Sequence, residues 1–222
     1  MDQYEAMRSR HSVRQYLEKP LPQEAVAALQ AGIDRCNRAG GLHIQLVTGE
    51  PSAFDGFMAH YGKFSGVTNY IALVGPKGPG LDEACGYYGE QLVLEAQAMG
   101  LNTCWVALTY RKTPGAFRVE AGEKLALVIA LGYGKTQGVA HKSKAFAQVA
   151  EESGDMPGWY RAGVEAALLA PTAMTQQKFR FSRSGSRVSV IAGAGFYAKV
   201  DLGIVKYHFE LAAGRENFSW AD

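Results

Sequence analysis

Apolar residues recur at helical spacing at Val26, Leu29, Ile33 and Cys36, just after Pro20-Leu21-Pro22 has put proline where a helix start tolerates it. The pattern predicts an amphipathic helix ended by Gly40-Gly41. Leu42, Ile44 and Leu46 then alternate with His43 and Gln45, the period of a half-buried strand. After Pro51, helical spacing returns at Phe54, Phe57, Met58 and Tyr61, and 70–74 reads as a short buried strand. The glycine and proline run at 75–80 predicts a loop. Tyr88, Leu92, Ala96 and Met99 mark a long helix that Gly100 can close. Two apolar runs, 103–107 and 125–131, predict strands joined by a basic, helix-compatible connector.

From 132 to 144 the chain turns polar and basic, and a short helix at 145–150 and a polar stretch at 151–158 lead into a second round. There Ala162-Gly163-Val164-Glu165 echoes Ala31-Gly32-Ile33-Asp34, each on a helix that runs into a turn and a strand, here 179–181. A further strand at 187–192 precedes an amphipathic helix marked by Leu202, Val205, Phe209 and Ala212, comparable with 88–99. The shared identities are few, so an internal duplication and two merely similar helix-strand units both stay open. The expected organisation is a first half, 1–150, and a second half, 151–222, packed as one unit of layered α and β structure.

Composition narrows the function classes. At 222 residues the chain can bury roughly 70% of its unfolded surface without staples. Lysine plus arginine number 23 against 21 acids, a net charge of +2, which argues against a nucleic-acid or anionic-membrane surface. The N-terminus MDQYEAMRSRHSV has no apolar core, and no apolar run approaches the ~18 residues of a membrane span, so a cytoplasmic protein is expected. Cys36, Cys85 and Cys104 form no CxxC and read as buried, reduced thiols. Asp34, Asp55, Glu90, Glu95 and Glu210 read as carboxylates on solvated helix faces.

Most motif-based chemistry drops out. The five histidines form no HxxxH or HExxH, and no GxSxG marks a serine nucleophile. Gly132-Tyr-Gly134-Lys135-Thr136 ends like a phosphate loop, but the first glycine of that motif is replaced by Ile129. Gly193-Ala-Gly195-Phe-Tyr-Ala198 fits GxGxxA, yet too little chain follows its helix for the second strand and acid of a dinucleotide site. What remains is Arg8-Ser9-Arg10-His11-Ser12-Val13-Arg14. Guanidinium groups bind phosphate oxygens bidentately and a serine hydroxyl adds a donor, so the set suits a phosphate monoester, or else is an ordinary charged helix end. A second basic set, His141-Lys142-Ser143-Lys144, could close on the same phosphate.

These residues carry a resemblance. Arg10-His11-Ser12-Val13-Arg14, followed by Tyr16, resembles the N-terminal signature of the FMN-dependent nitroreductase family, and Leu131-Gly132-Tyr133 matches a later strand end. The stretch from Leu94 through Gly100 and Thr103 to Trp105 is similar to the family's helix and turn past the flavin ring, and Lys142-Ser-Lys144 to its basic segment. The resemblance implies an α+β nitroreductase-like fold with a central, mostly antiparallel sheet flanked by helices. It implies FMN contacts from Arg10, His11, Ser12 and Arg14, from Cys104, Trp105 and Val106, and from Lys142 and Lys144.

One departure stands out. The family's A-P-S-x-x-N-x-Q-P-W stretch is missing after the first long helix, where 39–43 reads Ala-Gly-Gly-Leu-His, and a comparable stretch begins at Ala170. Pro171, Thr172 and Ala173 are therefore expected at the flavin, with Thr175 in place of asparagine and Lys178-Phe179 in place of Pro-Trp. In homodimeric members this stretch comes from the partner subunit. Its relocation implies a monomeric pseudo-dimer, as in a single-chain subgroup, with a homodimer left open. The implied activity passes electrons from NADH or NADPH through bound flavin to a small acceptor, such as a nitroaromatic or quinone. The other reading is a non-catalytic flavin-binding protein for storage or sensing. Trp105, Met174 and Phe179 are candidates for a dry pocket wall.

Overall fold

Pro22 is extended, with φ −67° and ψ 151°, directly before helix α2 (Gln23–Gly40), and Gly41 ends that helix at φ 60°, its N–H bonded to the Asn37 carbonyl. Both are the punctuation expected from the sequence. The computed structural model describes residues 1–151 and 155–221. It adds a helix the periodicity did not reveal, α1 (Gln3–Ser9), whose start is a reciprocal cap: the Glu5 N–H donates to Asp2 at 2.7 Å while the Glu5 carboxylate accepts from the Asp2 N–H.

Strands β1 (Gln45–Val47), β2 (Asn69–Pro76), β3 (Asn102–Val106) and β4 (Glu123–Gly132) form an antiparallel sheet in the order β1-β2-β4-β3. Its two central strands are apolar throughout because both faces are covered. Ile71, Leu73, Ile129 and Leu131 face one core, while Tyr70, Ala72, Val128 and Ala130 face a second core closed by Phe54 and Phe64.

The first core is filled by α4 (Leu81–Ala98) and α6 (Ala198–Ala213), the most intimate helix pair in the fold. Their contact depends on two glycines: a Cβ on Gly86 would overlap the Val200 carbonyl, and one on Gly203 the Glu83 carbonyl. Helix α5 (Gly158–Ala167) packs on α6 with Gly163 against the Phe209 ring. A second sheet has β5 (Phe179–Ser184) antiparallel to β6 (Arg187–Ala192), which runs parallel to β7 (Ser219–Trp220). Phe181 and Val188 of this sheet enter the same core as Leu92 and Ile129, so residues on both sides of position 150 share one apolar interior.

This is the α+β architecture expected, an antiparallel sheet flanked by helices, with local differences. The long helix begins at Leu81 rather than near Tyr88. The connector before β4 is not helical but turns through Gly115 at φ 86° and Gly122 at φ 88°. Helical spacing after Pro51 yields only the short α3 (Phe57–Tyr61), and 145–150 only one 3-10 turn. The polar stretch 151–158 lies partly outside the described residues. All three cysteines are buried and free. No helix among the described residues is long and apolar enough to cross a membrane.

Candidate functional site

After α1 the chain leaves its helix and runs beside the free edge of β3. Ser12 pairs with Thr103 in a parallel bridge, and the Val13 N–H donates to the Thr103 carbonyl at 3.0 Å. Buried Tyr16 fastens the segment by donating its hydroxyl to the Val13 carbonyl at 2.7 Å. Main-chain pairing therefore sets residues 10–14 next to 104–106.

Between this edge and the second half lies a cavity of about 560 Å³. Arg10, His11, Ser12 and Arg14 line one side, Cys104, Trp105 and Val106 continue it, and Pro171, Thr172 and Ala173 face them from the second half. Lys142 and Lys144 are not in the lining. The Lys144 ammonium instead donates to the Gln177 carbonyl at 2.8 Å and its backbone N–H to the Gln177 side chain at 2.7 Å. His141 takes the position at the cavity, 3.0 Å from the Leu168 carbonyl, and the hydroxyl of Ser143 donates to the same oxygen. His141, Ser143 and Lys144 thus fasten the 168–177 turn, and Lys142 is exposed. Gly138 at φ 73° lets the chain pass closely, since a Cβ there would lie 2.7 Å from the His11 Cβ. Of the expected apolar wall, Met174 lines the cavity with its side chain exposed, whereas Phe179 is buried in the core away from it.

The floor is electrostatic. Arg10 is 5% exposed, and two of its guanidinium nitrogens, Nε and Nη1, are buried without a hydrogen-bond partner. Burial lowers its pKa, against the opposing attraction of Glu90, whose carboxylate lies 4.0 Å from Nε. Asp34 is exposed on its helix as expected and Asp55 is exposed in a bend before α3, but Glu95 is part-buried, the Glu210 side chain is only 9% exposed and Glu90 is fully buried, which corrects the expectation of solvated helix carboxylates. Glu90 Oε2 accepts from the Trp105 indole N–H at 3.0 Å, and its Oε1 meets His208 Nε2 at 2.9 Å. His208 is also fully buried, with Nδ1 3.0 Å from the Ala166 carbonyl.

The opposite wall is held by another carboxylate. Asp201 accepts from the Ala173 N–H at 2.9 Å and from the Gln176 amide at 2.6 Å. These bonds pull its pKa down, but burial outweighs them and pushes it up to about 6. The turn it grips contains three non-glycine residues in the left-handed region, Met174 at φ 49°, Thr175 at φ 55° and Gln177 at φ 42°. Such conformations persist only where surroundings impose them.

Sequence reasoning did not pick out Glu90, His208 or Asp201 as part of the site. One signal existed for Glu90: Gly86, Glu90, Val93 and Gln97 share the helical phase that is buried on α4, so a carboxylate stood on the core stripe.

The residues present fit an anionic small-molecule cofactor. Buried guanidinium donors left unpaired are costly, and an anionic oxygen is the acceptor that satisfies them best. The volume lies within the roughly 300–1,000 Å³ of small-molecule sites.

Comparison with known proteins gives the fold a family. No curated protein sequence matches the chain. A solved structure named as a nitroreductase, from Thermotoga maritima MSB8, is 24% identical over 97% of this chain and 85% of that one, with a TM-score of 0.66. One from Desulfovibrio desulfuricans, named as a nitroreductase in complex with FMN, is 18% identical over 69% of this chain and 98% of that one, at a TM-score of 0.52. A Parabacteroides distasonis protein named NADH dehydrogenase/NAD(P)H nitroreductase is 21% identical over 69% of this chain and 99% of that one, at 0.50. At these identities the likeness concerns the fold. The family model described as "Putative TM nitroreductase" matches residues 2–213, and the chain belongs to that family.

Proposed function

We propose that the protein is an FMN-dependent oxidoreductase that takes electrons from NADH or NADPH and passes them to a small acceptor such as a nitroaromatic or a quinone. The observation that carries this reading is the buried Arg10 guanidinium, its Nε and Nη1 unpartnered, at the wall of a cavity enclosed by both halves of the chain. Arg10, Ser12 and Arg14, with His11, would hold the FMN phosphate by charge-assisted hydrogen bonds. Cys104, Trp105 and Val106 would flank the ring along the β3 edge, and Pro171, Thr172 and Ala173 would cover it from the second half. FMN bound there would supply the electron-transfer chemistry.

The chain's own contribution is binding and exclusion of water. Leu108, Val139, Met174 and Phe196 present exposed apolar side chains around the cavity, a rim suited to a planar, apolar acceptor and unsuited to a highly charged one. Because residues 10–14 and 171–173 of one chain line one cavity, the site is proposed to be complete within a monomer, as a pseudo-dimer holding one flavin per chain.

The absorbance spectrum of the purified protein tests this. The expected result is a flavin spectrum at one FMN per chain that bleaches with NADH or NADPH and recovers when a quinone is added. A bound flavin that resists reduction would favour storage or sensing, and protein that cannot be reconstituted with FMN would overturn both readings. Flavins shared between two chains of a dimer would overturn the monomeric site.

A further inference from the structure

The pair beneath Arg10 has a proton count that the hydrogen-bond geometry fixes. A carbonyl oxygen can only accept, so His208 Nδ1, 3.0 Å from the Ala166 carbonyl, carries a hydrogen. The other nitrogen lies 2.9 Å from Glu90 Oε1, and two lone pairs do not approach to that distance without a proton between them. One proton is therefore shared by Nε2 and Oε1. Whether it resides on the imidazole or on the carboxyl, the pair sums to zero charge.

The consequence falls on Arg10. The bonds from His208 to Oε1 and from the Trp105 indole to Oε2 orient the Glu90 carboxyl so that its nearest approach to the guanidinium is 4.0 Å, beyond hydrogen-bond reach, and it does not chelate Arg10. The other titratable groups acting on Arg10 are Cys104 and Tyr16, and burial pushes both up, toward their neutral forms. Arg10 is thus a buried cation with its counter-charge cancelled and two donors unspent, an arrangement that is costly until an anion arrives from the cavity.

We propose that Glu90 and His208 are positioning residues that share one proton and so leave the Arg10 guanidinium, a cation by its own basicity, unchelated and selective for an anionic ligand group, which on the function proposed above is the FMN phosphate. Neither residue lines the cavity. Their role is to withhold a carboxylate from Arg10 while holding Trp105 in place. Removing the proton from the pair would release a full negative charge onto the guanidinium and make it compete with the ligand.

Two polar substitutions, the first of them isosteric, separate this from a packing role. Glu90→Gln leaves the pair at zero charge, whereas His208→Gln keeps a donor toward Glu90 but takes away the shared proton. The readout is the ratio of FMN to riboflavin affinity for the apoprotein, measured by flavin fluorescence, because the two ligands differ only in the phosphate. His208→Gln is expected to reduce this ratio by about tenfold or more, the scale of one charge-assisted hydrogen bond, and Glu90→Gln to leave it within about threefold. Equal loss in both variants, or no loss in either, overturns the proposal while leaving the function intact.

A second measurement needs only the wild-type apoprotein. Millimolar inorganic phosphate should raise its melting temperature above that in chloride of matched ionic strength, since a ligand of the native state stabilises it by mass action. Absence of that shift overturns the free buried cation. Wild-type protein that is stabilised by phosphate yet binds neither flavin would instead remove the FMN reading and leave an anion site.

Discussion

The cavity wall at 10–14 and 104–106 is held by main-chain pairing to a sheet edge, whereas the facing wall at 171–177 is held by side chains that grip main chain. On the first, Ser12 and Val13 register against Thr103 and the cationic side chain is buried with donors unspent. On the second, Asp201 and Gln177 bond to backbone groups of a turn in which Met174, Thr175 and Gln177 are all left-handed. One wall keeps its polar capacity for a ligand; the other spends its polar capacity on holding its own shape. The first is therefore expected to control binding, and the second access and fit.

The largest expected effect follows from breaking the first wall. Arg10→Ala should weaken FMN binding by about 1.5–3 kcal/mol, the worth of a charge-assisted hydrogen bond. It should not destabilise the apoprotein comparably, because the guanidinium donors it removes are unpartnered. Isothermal titration and thermal melting of the same preparations check both halves. A variant that binds FMN as tightly as wild type would remove Arg10 from the phosphate site, and a melting loss as large as the binding loss would make it a structural residue.

Much of this contrast was legible in the residue pattern. Ten of the twelve expected contact positions line the cavity, because a cationic run after a capped helix and an apolar strand edge are local features that topology then brings together. Lys144 fell elsewhere because a basic side chain serves a backbone carbonyl as readily as a phosphate, and Gln177 supplies that carbonyl, while Lys142 is exposed outside the cavity lining. Glu90 was misread for a different reason. A carboxylate on a helix is usually solvated, and its partners, Trp105, His208 and Arg10, come from three distant elements that spacing cannot join. Asp201 is hidden in the same way, since its bonds to Ala173 and Gln176 span more than twenty residues.

Asp201 provides the next prediction, a pH dependence confined to the second wall. Its carboxyl sits at about 6 in the native protein, above the ordinary 3.8 of a free side chain, because burial penalises the charged form. A group whose native pKa is raised contributes stability that is fully present below its unfolded pKa and is lost as pH rises through its native value. Wild-type protein should lose stability from this group between about pH 4 and pH 6, by something on the order of 1–3 kcal/mol. Asp201→Asn keeps an acceptor for the Ala173 N–H and removes the titration, so the melting difference between variant and wild type should move in the variant's favour across that window. A difference that stays flat from pH 4 to pH 7 would mean that the second wall does not bear a buried charge.

The smallest effect separates strain from packing within that same turn. Met174 sits at φ 49° and ψ 26° with its side chain 83% exposed, so Met174→Gly relieves a left-handed conformation while giving up almost no buried surface. Strain relief of about 1–2 kcal/mol is offset by the greater freedom of glycine in the unfolded chain, of roughly 0.5–1 kcal/mol, which leaves a stabilisation between zero and about 1.5 kcal/mol. Gln177→Gly relieves the same kind of strain at φ 42° but should destabilise, because that side chain is buried and bonded to the Leu168 carbonyl at 2.8 Å. The apolar rim loses a member in the first variant, so the KM for a quinone acceptor should rise while kcat is retained. If Met174→Gly is instead destabilising by more than 1 kcal/mol, the turn is held by the methionine as well as by Asp201 and Gln177. The side-chain grip that distinguishes the second wall would then extend to its exposed tip.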